Sequence, residues 1–250
     1  MNSPPLEVKV WGEFACFTRP EFGTERVSYE MMTPSAARGI LEAIFWKPEF
    51  AWQVREIAVL APVRRGLDGK PLESTQNVAP FRHTSILRNE INTVQSDRSA
   101  RGGTPYYADE DRAQRHTLAL RDVAYIIRAD VVLKPHAIKD GIHPAKYREQ
   151  FRRRVERGQC HHQPYLGTRE FSAFFALPDD EPTIPTSDKL GLMLFDVSFQ
   201  QADKGKLEYL THDSSGASYA KGQAKPKFFE ASLESGVLRV PLEKYQEVAS

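Results

Sequence analysis

The sequence predicts an α+β fold of ferredoxin-like order, on three observations. Apolar residues alternate along Leu6–Phe14, as on a half-buried strand. They recur at helical spacing in two places, at Ala37, Ile40, Leu41 and Ile44 and at Tyr147, Phe151 and Val155. A β-rich run precedes and follows each helix, so strand–helix–strand occurs twice, which is the split βαβ pattern.

The first strand puts Leu6, Val8, Val10 and Gly12 on one side and Glu7, Lys9 and Trp11 on the other. Ala15–Tyr29 reads as a polar loop that carries Arg19 and Arg26. Thr33 is placed as an N-cap with Pro34 at the first helical position, and Lys47-Pro48 stops the helix. Trp52–Pro62 is the second strand, with Val54, Ile57, Val59 and Leu60 as its apolar residues. Leu118–Leu133 is a long β-rich run, interrupted by Arg121-Asp122, that covers one strand or a strand and its hairpin partner. The second helix spans Lys146–Arg157, opened by Pro144 and closed by Gly158, and Phe171–Leu177 completes the pattern.

Between the halves lies an insertion at about 64–115, rich in Gly, Arg, Ser, Asn and Gln. So long a stretch inside a compact domain is functional or partly disordered. Arg98, Arg101 and Tyr106-Tyr107, interleaved with Gly102-Gly103, suit an arm that closes on single-stranded nucleic acid. A tolerated surface insertion fits equally. Asp179–Ser187 looks like a linker, and beyond it Gly191–Phe199, Lys206–Leu210 and Gly236–Val240 make short strands. The expected organisation is a domain at 1–178 and a small β-rich extension at 188–250.

The net charge of +1 conceals a segregation. Residues 179–250 carry 8 Lys/Arg against 12 Asp/Glu, which leaves 26 against 21 for residues 1–178. The front of the chain suits a polyanion and the back alone would repel one. Two cysteines, Cys16 and Cys160, make neither a disulfide framework nor a zinc site. There is no apolar run of the roughly 18 residues a membrane span needs and no signal-peptide core, so a soluble cytoplasmic protein is expected.

The second helix is the most informative segment. Over Lys146–Arg157 there are six Lys or Arg against two Glu. Lys146, Gln150, Arg153 and Arg157 form a stripe beside the apolar row, with Arg148 and Arg152 on the same helix. A cationic ridge beside a buried seam holds a phosphate backbone; a solvated basic face is the alternative. His161, His162 and Arg169, just beyond, add donors to the ridge. No dinucleotide fingerprint, Walker loop, nucleophile elbow or HExxH is present, and no carboxylate spacing places several on one metal, so neither metal nor cofactor is expected. What remains is metal-free phosphate chemistry run by Lys, Tyr, His and Arg. RNA permits it because its own 2′-hydroxyl can attack the adjacent phosphorus.

The blocks VWGEFACFTRPE, ERVSYE, MTPSAARGILEAIFWKP and KYREQFRRRVERGQ…PYLGTREF resemble the type I-C branch of the CRISPR-associated Cas family five. The resemblance implies a ferredoxin-like (RRM-like) domain with a β-hairpin or loop insertion and a C-terminal β-extension. It implies an endoribonuclease that cuts CRISPR precursor RNA at the repeat hairpin and stays on the crRNA 5′ handle. Its implied partners are the backbone and large subunits of the Cascade complex. The family's catalytic set is a tyrosine ending the first helix and a Lys-His pair starting the second. Those positions hold Phe45, Lys146 and Tyr147 here. Lys146 is the natural phosphate cation, and the Tyr147 phenol, with a reference pKa of about 10, needs perturbing to act as a base. His143, His161 or His162 supplies an imidazole in its place, and Arg148, Arg152, Arg153, Arg157, Arg169, Arg19, Arg26 and Lys47 are the candidate RNA contacts. Two further readings stay open: a non-catalytic subunit capping the 5′ handle, and, more remotely, a metal-dependent DNA-cutting side activity.

Overall fold

The computed structural model describes residues 4–22, 25–60, 83–91, 112–139, 141–202, 205, 207–213 and 216–248. Among the described residues the chain is a mixed α/β structure built on one large sheet, antiparallel but for a single short pairing. The first part runs β1 (Leu6–Ala15), β2 (Arg26–Val27), α1 (Pro34–Ile44), β3 (Phe50–Val59), β4 (His83–Ile91), β5 (Arg112–Leu133), α2 (Pro135–Lys139), α3 (Pro144–Glu156) and β6 (Phe174–Ala176). The rest runs β7 (Asp188–Gln201), β8 (Leu207–Asp213), β9 (Gly216–Glu234), β10 (Val237–Arg239) and α4 (Lys244–Val248). The strand order is β6–β1–β5–β3–β10–β9–β7, with β2 and β4 beside β5 and β8 beside β9.

Alternation in β1 sends Leu6, Val8, Val10 and Gly12 inward, as the sequence predicts. Their ladder partners on β5 include Ala129, Ile127 and Tyr125, and all join one core with Ile40, Leu41 and Ile44 of α1 and Tyr147, Phe151 and Val155 of α3. Both helices therefore cover the same face of the sheet. β3 starts two residues before its predicted start. Its register slips between Val54 and Glu56, so Val54 and Ile57, three apart, both reach the core. The run Leu118–Leu133 belongs to one strand of 22 residues. The first half of β5 pairs with β4 and the second half runs between β1 and β3, with Asp122 in a left-handed conformation (φ 51°) at the junction. β4 lies within the stretch read as an insertion; Arg98, Arg101 and Tyr106-Tyr107 lie outside the described residues.

Three expectations need correction. Ala15–Tyr29 is not a wholly polar loop, because Cys16, Phe17 and Tyr29 are buried and Arg26–Val27 pairs with β5 in parallel. Asp179–Ser187 is docked rather than linking: Ile184 is buried, its N–H donates to Val59 O (3.0 Å), and Glu181 binds Lys9 Nζ at 2.6 Å. The longest C-terminal strand, β9, has no counterpart in the sequence reading. Its outer half is exposed apart from Ala220 and Gly222 and contains Pro226, so no apolar periodicity marks it; ladders to β8 along Gly216–Gly222 and to β7 along Gly222–Leu233 make it a strand. Only Phe229, Ala231 and Leu233, in its inner half, alternate inward.

The C-terminal strands continue the first sheet, since β10 bonds both β3 and β9. Side-chain contacts fasten them. Arg38 of α1 grips Asp196 of β7 with two bonds of 2.8 Å, and Glu42 takes a third. The Asp196 and Glu42 charges hold the Arg38 guanidinium ionised against the cost of burial. The Tyr245 hydroxyl accepts from Val54 N (2.7 Å) and donates to Val54 O (3.1 Å), beside the bulge, and burial pushes this phenol well above its ordinary range. Among the described residues, no helix is long and apolar enough to cross a membrane.

Candidate nucleic-acid interface

α3 is fixed at both ends by its own sequence. His143 is the N-cap, its Nδ1 accepting from Ala145 N (3.2 Å), and Pro144 follows where no N–H is needed. In the neutral ring that bond leaves the proton on Nε2. At the other end Arg157 is the cap and Gly158 turns left-handed (φ 61°). Gln159 N then reaches Arg154 O (2.8 Å) and Gly158 N reaches Val155 O (3.1 Å), the Schellman pattern. The helix thus ends one residue before the predicted Arg157.

The predicted row is buried, and the cations beside it are not. Lys146, Arg152, Arg153 and Arg157 are exposed, and none has a carboxylate partner among the described residues. Arg148 is bound to the Pro4 carbonyl. Arg154, which the predicted stripe skips, donates to Ile44 O (3.2 Å) and lies 5.3 Å over the Phe45 ring, so it closes the C-terminus of α1.

Phe45, Lys146 and Tyr147, the positions to which the resemblance carries a catalytic set, come together here. The Phe45 and Tyr147 rings are 6.2 Å apart, Phe50 lies 5.0 Å from Tyr147, and Lys146 Nζ stands 5.7 Å from the Tyr147 ring centroid. Phe45 and Tyr147 are each only 2% exposed, whereas Lys146 faces outward. Burial, and then the nearby Glu49 carboxylate, push the Tyr147 phenol above its ordinary value. Glu49 Oε2 is itself buried without a hydrogen-bond partner. A phenol so placed keeps its proton at neutral pH and is a poor general base.

The end of α1 gathers a second group. The N–H groups of His161 and His162 both donate to Ala43 O, at 2.8 and 3.2 Å. The chain bends at this point, so their rings meet at 5.6 Å and 78° instead of pointing apart as an extended chain would place them. Both are exposed, as is Lys47. The following loop is locked by Gly167, whose φ is 87° and where a Cβ would stand 2.0 Å from Cys16 O. Arg169 is exposed on this loop. Arg26 pairs with Glu170 at 3.4 Å, while Arg19 is held bidentate by Glu30 at 2.8 Å and stacks 4.4 Å over Tyr29. The structure therefore groups Lys146 with Phe45 and Tyr147, and His161 and His162 with the end of α1; Arg19 and Arg26 already have acidic partners.

Sequence reasoning did not select Arg154, Glu49, Trp46 or His212. Trp46 is exposed, and the His212 ring from β8 meets it at 5.1 Å. Only the helix end could have pointed to Trp46; nothing local marks His212, whose place depends on β9. Among the described residues no three His, Cys, Asp or Glu stand together as a metal-binding group.

Residues 5–241 match the family model Cas5d, described as a CRISPR-associated protein. The chain belongs to this family. A curated relative from Thermus thermophilus, named CRISPR pre-crRNA endoribonuclease Cas5d, is 50% identical over 97% of this chain and 94% of its own. A relative of the same name from Mannheimia succiniciproducens is 36% identical, covering 94% of each chain. A crystal structure titled as a CRISPR-associated protein superposes with a TM-score of 0.59 at 20% identity, over 97% of this chain and 94% of that one, which shows a shared fold.

Proposed function

We propose that this chain is a pre-crRNA endoribonuclease that cuts CRISPR repeat RNA and stays on the 5′ handle as a Cascade subunit. The observation that carries the reading is the assembly of Lys146, exposed on the ridge, with the buried rings of Phe45 and Tyr147, in a chain half identical to a relative named for that activity. The strand order β6–β1–β5–β3, with α1 and α3 on one face, supports a ferredoxin-like, RRM-like domain at 1–178 that holds the insertion at 64–115. Residues 188–250 are its β-extension.

The reaction needs three services. The RNA 2′-oxygen attacks the adjacent phosphorus, loses its proton, and expels the 5′-oxygen, which gains one; a 2′,3′-cyclic phosphate remains. Lys146 neutralises charge that develops on the phosphoryl oxygens. The exposed imidazoles of His161 and His162, or His143 through Nε2, exchange the protons. Arg152, Arg153 and Arg157 hold the backbone in line, with Lys47 and Arg169 as further contacts. A second reading, a subunit that caps the 5′ handle without cutting, is favoured by the burial of Phe45 and Tyr147.

Incubation with cognate repeat RNA in EDTA tests the proposal. Cleavage should persist and leave a cyclic phosphate, and RNA with deoxyribose at the scissile position should bind uncut. Cleavage lost in EDTA and restored by magnesium overturns the mechanism; tight binding with no cleavage selects the second reading.

A further inference from the structure

Trp46 is the feature that neither the core nor the phosphate ridge explains. It follows the cap of α1, where the chain leaves the helix, and 40% of it is exposed although an indole strongly favours burial. Its sequence neighbours are the buried Phe45 and the exposed Lys47. Its ring partner is His212, which meets it edge-on at 5.1 Å and 67°, and so leaves indole surface open. His212 comes from the hairpin of β8 and β9, where β8 pairs with β9. The C-terminal extension thus reaches back and places one ring against the end of the helix that carries position 45.

We infer that Trp46 and His212 form an aromatic notch that takes one unpaired nucleobase of the repeat RNA, next to the scissile phosphate. The inference rests on the RNA-cutting reading of the same site and adds a base contact to it. The surroundings fit that occupant: Lys47, His161 and His162 are exposed at the same helix end, and Lys146 and Arg153 are exposed on α3 without a carboxylate partner among the described residues. An apolar protein partner would meet these charged and polar groups unfavourably, whereas an RNA base brings a flat face for the indole and a phosphate for its neighbours. Stacking on a π-face tolerates any base, so the notch fixes position along the strand rather than reading sequence.

The test pairs a protein change with an RNA change. Trp46→Ala should weaken binding of cognate repeat RNA about 10-fold, the scale of one lost base stack, with its salt dependence unchanged because no phosphate contact is removed. Trp46→Phe keeps an aromatic face and should recover most of the affinity, and His212→Ala should cost less than Trp46→Ala. Repeat RNAs carrying one abasic nucleotide, moved stepwise through the residues flanking the cut, identify the base. At one position the wild-type protein should lose the same factor that Trp46→Ala loses, and the two changes together should cost no more than either. If every abasic position adds independently to Trp46→Ala, the notch does not hold a base and the inference is wrong. If the wild-type protein neither binds nor cuts the intact repeat, the RNA reading itself fails, which is a separate result.

Discussion

α1 and α3 lie on the same face of the sheet and share one core, yet their cations are treated in opposite ways. On α1, Arg38 is clamped by Asp196, whose side chain is 6% exposed, and by Glu42 four residues on. On α3, Lys146, Arg152, Arg153 and Arg157 stand exposed without a carboxylate among the described residues. The difference follows from what packs against each helix. The extension lays β7 beside α1 and supplies an acid at the contact; no acid-bearing element among the described residues covers the outer side of α3. A helix whose one arginine is sealed against an acid is a joint, and one whose several cations are left open suits a polyanion. The acidic C-terminal segment thus engages Arg38 of α1 and leaves the cations of α3 open.

The largest effect should come from the joint. Arg38→Ala leaves Asp196 buried without its counter-charge and should cost about 3 kcal/mol of stability, the low end for such a loss because Arg38 is itself partly exposed. Replacing Asp196 with alanine as well should recover part of the loss. Denaturant titration reads both, and an Arg38→Ala protein as stable as wild type would erase the contrast between the helices.

On the open helix the same kind of substitution should spare stability and strike function. Lys146→Ala should slow cleavage about 10²-fold, the scale for one electrostatic stabiliser, while RNA affinity falls far less. Single-turnover cleavage and binding, measured side by side, separate the two. Cleavage at the wild-type rate would remove Lys146 from the chemistry.

Arg153 and Arg157 sharpen the contrast more gently. Alanine at both should flatten the log–log salt slope of RNA binding by roughly 1.5 units, at about 0.7 to 0.9 per phosphate neutralised. The loss should be equal for matched and scrambled hairpins. An unchanged affinity and slope would make the ridge an ordinary solvated face.

Sequence periodicity revealed the parts of this comparison that depend on local physics. The row Tyr147, Phe151, Val155, the cap at Thr33, the left-handed turn at Gly158 and the inward face of β1 all follow from spacing and backbone chemistry, and all hold. The stripe on α3 was legible for the same reason. The Arg38–Asp196 clamp was not, since it joins residues 158 apart through strands with no periodic signature. Trp46 and His212 meet for the same long-range reason, through β9, whose outer half is held by its edges. His161 and His162 were legible as residue types but not as a pair, because the bend that joins their rings is set by Ala43 O of another element.

The smallest effect should be that of the Tyr147 hydroxyl, and it decides whether this position does chemistry or only packs. The ring touches Phe45 and Phe50, and burial and Glu49 raise the phenol above its ordinary value. A raised value means that the folded protein holds this proton more tightly than the unfolded chain does. The stability this contributes is complete below the unfolded tyrosine value of about 10 and is lost as pH climbs through the higher folded value. Between pH 6 and 9 the hydroxyl is therefore a constant, neutral group. Tyr147→Phe keeps the packed ring, so cleavage should fall less than about 10-fold, short of the 10²–10⁴ that a general base contributes, and its pH–rate profile should overlay the wild type. Unfolding measured from pH 8 to 11 should show a shallower alkaline decline in the variant. A loss of 10² or more in rate with stability intact would return the hydroxyl to the reaction and move the acid–base work from the histidines at the end of α1 to α3 itself.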